Sequence, residues 1–469
     1  MLFNSLQFLV FFIFICSLYY TLAHRFRWFL LLAASCFFYM SFIPEYILIL
    51  GFTILIDYFA GIFIENAKKE KKKFFLILSL VANIGVLFIF KYYNFFTEQW
   101  NEFTQQSESG LQISNLNIIL PIGLSFHTFQ AMSYTIEVYR GHQKAERHIG
   151  IYALYVMFFP QLVAGPIERP QNLIHQFYEK HLLKFDKFKE GVTLIVFGLF
   201  KKVVIADRLS VVVDHAFSEP SAQSGMSLLI ASFFYSFQIY CDFSAYSEIA
   251  IGSALVLGFT LMDNFRSPYF ASSLSEFWKR WHISLSSWFK DYLYISLGGN
   301  RVSKINLYRN ILIVFILSGI WHGANYTFLV WGLAHGIFLC LMLLWRQIQP
   351  TSLLKHDSNI FKKTFSILST FTFVCLSWVL FRAQTIGDAG IIYSKIFSKD
   401  YFRTIELGLA TTELIFCFAL IILLCFKDYF LPKISTKSTY VFLGINIALL
   451  IVAYFFGIFN LKQFIYFQF

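Results

Sequence analysis

Three stretches of the chain combine residue types that can do chemistry. The first is Glu276-Phe277-Trp278-Lys279-Arg280-Trp281-His282-Ile283-Ser284-Leu285-Ser286-Ser287-Trp288, which packs two bases, a histidine and three tryptophans into one short run. At 3.6 residues per turn, a helix here places Phe277, Trp281 and Trp288 on one face and leaves Lys279 and Arg280 off it. Such a helix reads as an interfacial anchor with tryptophans at headgroup depth, or as a mouth that binds an anionic substrate through Lys279 and Arg280. The second stretch is Gly319-Ile320-Trp321-His322-Gly323-Ala324-Asn325-Tyr326-Thr327-Phe328. His322 lies there between two apolar runs, and an ionisable group at membrane depth is costly enough to mark function. A neutral imidazole accepts a proton near pH 7, as a general base must. Gly319 and Gly323 allow close backbone approach at that point. A core histidine hydrogen-bonded across helices is the alternative. The third stretch, Tyr240-Cys241-Asp242-Phe243-Ser244-Ala245-Tyr246-Ser247-Glu248, interrupts a run that is otherwise apolar from 226 to 262. Two carboxylates at that depth need partners or water. They would line a reaction cavity, relay protons in a transporter, or satisfy a broken helix.

Other chemical templates fail. His335 follows His322 by 13 residues, which on a continuous helix means ~20 Å of rise and about 220° of rotation, so the two would not share a metal. There is no H-E-x-x-H or other tight His/Cys cluster, and no metal is expected. There is no G-x-S-x-G, no Walker loop and no G-x-G-x-x-G. His181-Leu-Leu-Lys-Phe-Asp186 fits the H-x-x-x-x-D of glycerolipid acyltransferases, but it stands in a polar loop without supporting blocks, and so short a pattern recurs by chance.

The elements that must hold these residues are membrane helices. The chain has 469 residues, 57% hydrophobic and 14% charged, with 60 phenylalanines and a mean hydropathy of +0.61. An ordinary soluble domain is roughly 45–50% apolar and about 25% charged. These values exclude a disordered chain, a disulfide scaffold and an average cytosolic enzyme, and they predict an all-α, polytopic integral membrane protein. Apolar segments fall at 5–23, 28–43, 46–64, 74–96, 117–138, 150–165, 192–206, 226–262 (broken near its middle), 309–320, 326–345, 365–381, 411–426 and 438–459. A full span needs about 20 apolar residues, so the shorter segments tilt or are re-entrant and buried by protein. The expectation is about 11 spans plus re-entrant pieces, forming one integral membrane domain over 1–469 with an aromatic tail at 460–469.

Lys+Arg is 38 and Asp+Glu 27, a net charge of +11. In a membrane protein such an excess collects in cytoplasmic loops against anionic lipid, and no nucleic-acid partner is expected. The loops carrying Arg25 and Arg27, Lys68 to Lys73, and Arg140, Lys144 and Arg147 alternate as cytoplasmic, while 97–116, with Glu98, Glu102 and Glu108, reads as external. Lys355, Lys362 and Lys363 mark another cytoplasmic loop, as do Lys427, Lys433 and Lys437. Span 438–459 then crosses outward and leaves the tail external. Residues 5–23 have no Lys or Arg before them, which suits an uncleaved first span with its N-terminus outside. Seven cysteines without a C-x-x-C pair read as buried free thiols.

Several blocks together resemble the membrane-bound O-acyltransferase family. Phe159-Pro160-Gln161-Leu162-Val163-Ala164-Gly165-Pro166-Ile167-Glu168-Arg169 matches its F-P-x-x-x-A-G-P-I-x-R signature. Further matches are Asn264-Phe265-Arg266-Ser267-Pro268-Tyr269, the block from Phe277 to Asp291-Tyr292-Leu293-Tyr294, Gly298-Gly299-Asn300-Arg301, Trp321-His322-Gly323-Ala324, and Ser377-Trp378-Val379-Leu380-Phe381-Arg382-Ala383. Within the family the chain looks like the bacterial branch that holds the alginate and peptidoglycan O-acetylation membrane subunits and, more distantly, the teichoic-acid D-alanylation subunit. The resemblance implies a helical ring around a central funnel in the cell inner membrane. It maps the family's invariant histidine onto His322 and a second polar position onto His282. It implies acetyl-CoA as a cytosolic acyl donor, with no permanently bound cofactor. A periplasmic serine-esterase-like partner and an envelope glycan acceptor, peptidoglycan or an alginate-like polysaccharide, are implied as well. Lys279, Arg280 and Arg301 would suit the donor's phosphates. The tail Phe464-Ile465-Tyr466-Phe467-Gln468-Phe469 resembles the branch's aromatic C-terminal motif, in which a tyrosine, here Tyr466, carries the acyl group; a belt anchor is the alternative. Three rivals stand beside this reading. They are a proton-coupled transporter using Asp242, Glu248, His282 and His322, a lipid or protein O-acyltransferase with a longer donor, and a purely structural export subunit.

Overall fold

Apolar runs bounded by charged residues, glycine and proline become helices throughout the computed structural model, which describes residues 1–106, 110–348, 360–398, 405–431, 436, 438–459 and 464–465. No strand occurs among the described residues. Seven helices are long and apolar enough to cross a membrane by length and composition. They are Pro44–Asn66, Lys69–Gln105, Gly225–Val256, Lys304–His322, Tyr326–Trp345, Ile360–Arg382 and Thr439–Phe456. Others are shorter, such as the apolar Leu6–Thr21 of 16 residues and Ile149–Met157 of 9. At 1.5 Å per residue the last reaches only about 13 Å, well short of a ~30 Å hydrocarbon core.

Burial separates outer helices from inner ones. Helix Leu6–Thr21 exposes Leu6, Leu9, Val10, Ile13 and Phe14. Only 17% of the apolar window of Thr439–Phe456 is buried, against 78% for Gly225–Val256. Apolar surface on that scale is a liability in water and the natural outer face in lipid. The protein is a multi-pass membrane protein.

Contacts divide the chain into two compact units, Met1–Val196 with Tyr246–Met262 and Phe197–Ala245 with Asp263–Phe469. In the first, buried Asp57 of helix Ile47–Asn66 accepts hydrogen bonds from Ser79 Oγ at 2.6 Å and Asn83 Nδ2 at 2.9 Å on helix Lys69–Leu87. A Cβ at Gly61 would meet the Tyr134 ring at 2.6 Å, so helix Leu124–Arg140 packs directly on that glycine. The block from Phe159 to Glu168 is wholly buried in this unit. There Tyr155 Oη donates to Glu168 O at 2.9 Å, and Glu168 Oε1 accepts from Met262 N–H.

The second unit is organised by the helix pair Lys304–His322 and Tyr326–Ile348. A Cβ at Gly319 would collide with Phe328 O, and one at Gly332 with Phe315 O. These two glycines bring the backbones together as the sequence implies at Gly319. The expected break near the middle of 226–262 is absent: Gly225–Val256 is one continuous helix of 32 residues. Its central carboxylate is satisfied from outside by a buried lysine, so no opening of the helix is required.

Candidate active site

The run 276–288 does not form the single amphipathic helix expected of it. Helix Leu274–Arg280 stops, and a second, Ile283–Trp288, begins. His282 joins them with φ of +44°, in the left-handed region. For a residue with a Cβ that conformation costs on the order of 1–2 kcal/mol, and the adjacent segment supplies the compensation. Ile283 N–H donates to Asn264 O at 2.9 Å and Arg266 N–H to Arg280 O at 2.9 Å, so residues 264–266 lie along 280–283. Beside them Ser267 also has φ of +44°. The two blocks quoted from the sequence therefore lock each other.

Asn264 fixes the chemistry of His282. Its Oδ1 accepts from Ser284 N–H at 3.2 Å and Ser284 Oγ at 2.9 Å, and it lies 3.1 Å from His282 Nδ1. A backbone N–H can only donate, so the amide atom facing it is the oxygen. His282 Nδ1 must then carry its hydrogen, which leaves the lone pair on Nε2. His282 is 1% exposed and lies outside the seven candidate spans. Burial pushes its pKa down to about 3, which favours the neutral ring.

His322 is the last residue of its helix and is buried. Gly323 follows because a Cβ there would strike the Phe328 ring. Asn325 then starts the next helix, with its Oδ1 accepting from Thr327 N–H at 3.0 Å and its Nδ2 donating to Gln384 O at 2.8 Å. Rings enclose the imidazole: Trp331 stands at 5.2 Å between centroids and Phe381 at 5.0 Å, both edge to face. Trp321 connects the two histidines, with its centroid 6.2 Å from His282 and 4.9 Å from His322. Trp281 packs 5.0 Å from Trp378, and Trp378 stacks 5.7 Å from Trp331. Three separate sequence blocks thus converge on one buried aromatic cluster. His335 is a core residue there, its Nε2 2.9 Å from Ser377 Oγ.

A second buried group adjoins this one. Helix Phe185–Phe200 passes through a π-helical turn, Lys201–Ala206, into helix Asp207–Ser218. Lys202 Nζ sits 2.6 Å from Asp242 Oδ1 and 2.9 Å from Asp207 Oδ1. Lys201 Nζ donates to Ser244 Oγ at 2.7 Å. Phe243, the residue after Asp242, stacks edge to face on His282 at 4.6 Å. Reading the sequence alone passes over Lys201 and Lys202, because they lie inside an apolar run, 192–206. Two consecutive lysines in such a run are the available signal.

The three predicted phosphate contacts differ. Lys279 and Arg301 are exposed. Arg280 Nη2 instead holds Glu276 Oε1 at 2.5 Å on its own helix. Gly298 and Gly299 have φ of +96° and +59°, and Asn310 Nδ2 donates to Leu297 O and Gly299 O, so this loop has a defined form just before Arg301. Tyr466 lies outside the described residues. Among those described, no group of three or more His, Cys, Asp or Glu is placed to hold a metal ion.

Comparison with known proteins gives a consistent picture. The family model described as membrane-bound O-acyltransferase matches residues 73–382. The chain is 37% identical over 449 residues to "Probable alginate O-acetylase AlgI" of Pseudomonas aeruginosa, covering 93% of this chain and 84% of that protein. It is 37% identical over 390 residues to "Peptidoglycan O-acetyltransferase" of Helicobacter pylori, covering 76% and 71%. To "Teichoic acid D-alanyltransferase" of Bacillus subtilis it is 25% identical over 281 residues, covering 57% and 70%.

Proposed function

The chain belongs to the membrane-bound O-acyltransferase family, and from that premise we propose that it moves acetyl groups from cytosolic acetyl-CoA across a bacterial inner membrane for O-acetylation of an envelope or secreted glycan. Peptidoglycan and alginate-like polysaccharides are the acceptor classes, since the relatives carry those names. The observation that carries the reading is the convergence of His282 and His322 on Trp321 inside one buried ring cluster.

His322 is the general base in this scheme. The resemblance places the family's invariant histidine at this position, and a neutral imidazole can take up a proton near pH 7. His282 orients: its Nε2 lone pair accepts a hydrogen bond from an incoming hydroxyl or from the donor. The nucleophile is the Tyr466 hydroxyl. Its oxygen attacks the acetyl carbonyl carbon, the C–S bond of the thioester breaks, and an O–C ester bond forms. The phenolic proton passes to His322 and then to the departing CoA thiolate. A phenol with a pKa near 10 needs less help than a serine hydroxyl, and an aryl ester remains a good donor for a second transfer. Splitting the transfer in two is covalent catalysis. A periplasmic serine-esterase-like partner takes the acetyl from Tyr466 to the glycan. Lys279 and Arg301, exposed and cationic, attract the donor's phosphates. Arg280 joins them only by exchanging Glu276 for phosphate.

Of the four groups in the transporter reading, Asp242, Glu248, His282 and His322, the Asp242 carboxylate is paired with Lys202. The deciding experiment is peptide mass spectrometry after incubation with labelled acetyl-CoA. Label is expected on the C-terminal peptide of the wild type, and neither His322→Ala nor Tyr466→Phe should carry it. CoA release without label, when partner and glycan are present, would mean direct transfer and reduce Tyr466 to an anchor.

A further inference from the structure

The buried Lys202–Asp242 pair holds more than itself. Asp242 Oδ2, the oxygen not used by Lys202, accepts a hydrogen bond from Ile465 N–H at 2.7 Å. The ring of Phe464 lies 4.5 Å from Lys202 Nζ. Both tail residues are buried, Phe464 at 1% and Ile465 at 7% exposure. Upstream, the same π-helical turn and the start of helix Asp207–Ser218 take the end of helix Thr439–Phe456. Ile458 N–H donates to Val203 O at 2.8 Å, and Arg208 Nη2 donates to Phe456 O at 2.7 Å. The end of the chain from Phe456 to Ile465 is thus held three times by residues 202–208, at Lys202, Val203 and Arg208, and once by Asp242.

We propose that Asp242 and Lys202 are positioning residues that form a docking cradle for the C-terminal peptide, holding Phe464–Ile465 so that the next residue, Tyr466, is delivered to the His282–His322 site. The delivery role rests on the carrier reading above; the cradle itself rests on the contacts just given. Asp242 has the geometry for the task. One carboxylate oxygen is neutralised by Lys202, and the other accepts a main-chain N–H, so recognition is of backbone and can be made and broken. Phe243, next to Asp242, touches the His282 ring at 4.6 Å, and Tyr466 is one peptide unit, about 3.8 Å between Cα atoms, beyond Ile465. A cation–π contact and a charge-assisted hydrogen bond are strong enough to dock a short segment and weak enough to release it. Release would free the acetylated tyrosine for the next acceptor.

The test uses full-length protein. Proline has no N–H, so Ile465→Pro removes the hydrogen bond and leaves the Lys202–Asp242 pair intact. Ile465→Ala removes the side chain and keeps the bond. From labelled acetyl-CoA, Ile465→Pro should acetylate the tail at least about tenfold more slowly than Ile465→Ala, through kcat and with KM for acetyl-CoA unchanged. Hydrogen exchange in the wild type should show the Ile465 amide slowed about a hundredfold relative to an unstructured peptide. Equal labelling rates in the two variants, or free exchange at Ile465, would overturn the cradle. A protected amide with no label on wild-type Tyr466 would instead overturn the carrier reading and, with it, the delivery role.

Discussion

Asn264 decides which nitrogen of His282 carries a hydrogen, because Ser284 N–H holds the amide oxygen toward the ring. A residue that acts only through another leaves a specific signature. Asn264→Ala should lower kcat/KM for acetyl transfer by about ten- to a hundredfold, the range for losing a buried acceptor. His282→Ala should do the same, and the double variant should be no worse than either, since both remove one interaction. Additive losses, measured as single-turnover acetylation of the tail, would separate Asn264 from His282. At this scale the sequence is legible where an ionisable group sits between apolar runs, which is how His322 stands out, and where bases, a histidine and tryptophans crowd one short stretch, which is how His282 does. It is opaque where partners come from far along the chain. Asn264 reaches His282 across 18 residues and Lys202 reaches Asp242 across 40, and no local pattern encodes either pair. Arg280 has a local partner by contrast. Its neighbour Glu276, one helical turn away, is in view in the same stretch, and an i,i+4 pair of opposite sign forms readily on a helix.

The helices follow the apolar runs closely. Segments 309–320 and 326–345 become Lys304–His322 and Tyr326–Ile348, with Gly323 and the capping Asn325 between them. Two expectations fail because the period of a sequence says nothing about distant capping. Residues 276–288 have helical spacing, yet Asn264 captures His282 and divides the run. Asp242 interrupts an apolar segment in composition only, since a lysine on another helix removes the reason for the backbone to open. The close pair is the element on which His322 depends. At Gly332 a Cβ would collide with Phe315 O, so Gly332→Leu should force the helices apart, costing about 1–3 kcal/mol. It should lower the thermal transition of the purified protein and abolish acetylation with His322 itself unchanged. Gly51, in helix Ile47–Asn66, has open space where a Cβ would stand, with nothing within 4 Å. Gly51→Ala should therefore leave the transition where it is or raise it slightly. Equal destabilisation by the two changes would show that close approach at Gly332 is not what positions His322.

At the scale of the whole molecule, what matters is which species crosses the membrane. CoA is large and polyanionic, and the hydrocarbon core excludes it; an acetyl group held as a phenyl ester is small and neutral. The excess of basic residues, +11 over the chain, is expected to collect in cytoplasmic loops, where it would give the proposed donor a positively charged approach. The alternation of loop charges leads to the expectation that the tail lies on the opposite face from those loops. Phe464 and Ile465 are buried, as the carrier proposal requires of the residues next to Tyr466. If donor and acceptor faces are distinct, acetyl should be loaded from one side and recovered from the other. In sealed proteoliposomes given labelled acetyl-CoA only outside, an arylesterase enclosed in the lumen should release labelled acetate inside. Tyr466→Phe vesicles should release none, and an esterase added only outside should release far less. Acetate freed equally well by the external esterase would place loading and unloading on one face. The protein would then be an acyltransferase that works at the membrane without carrying its substrate through it.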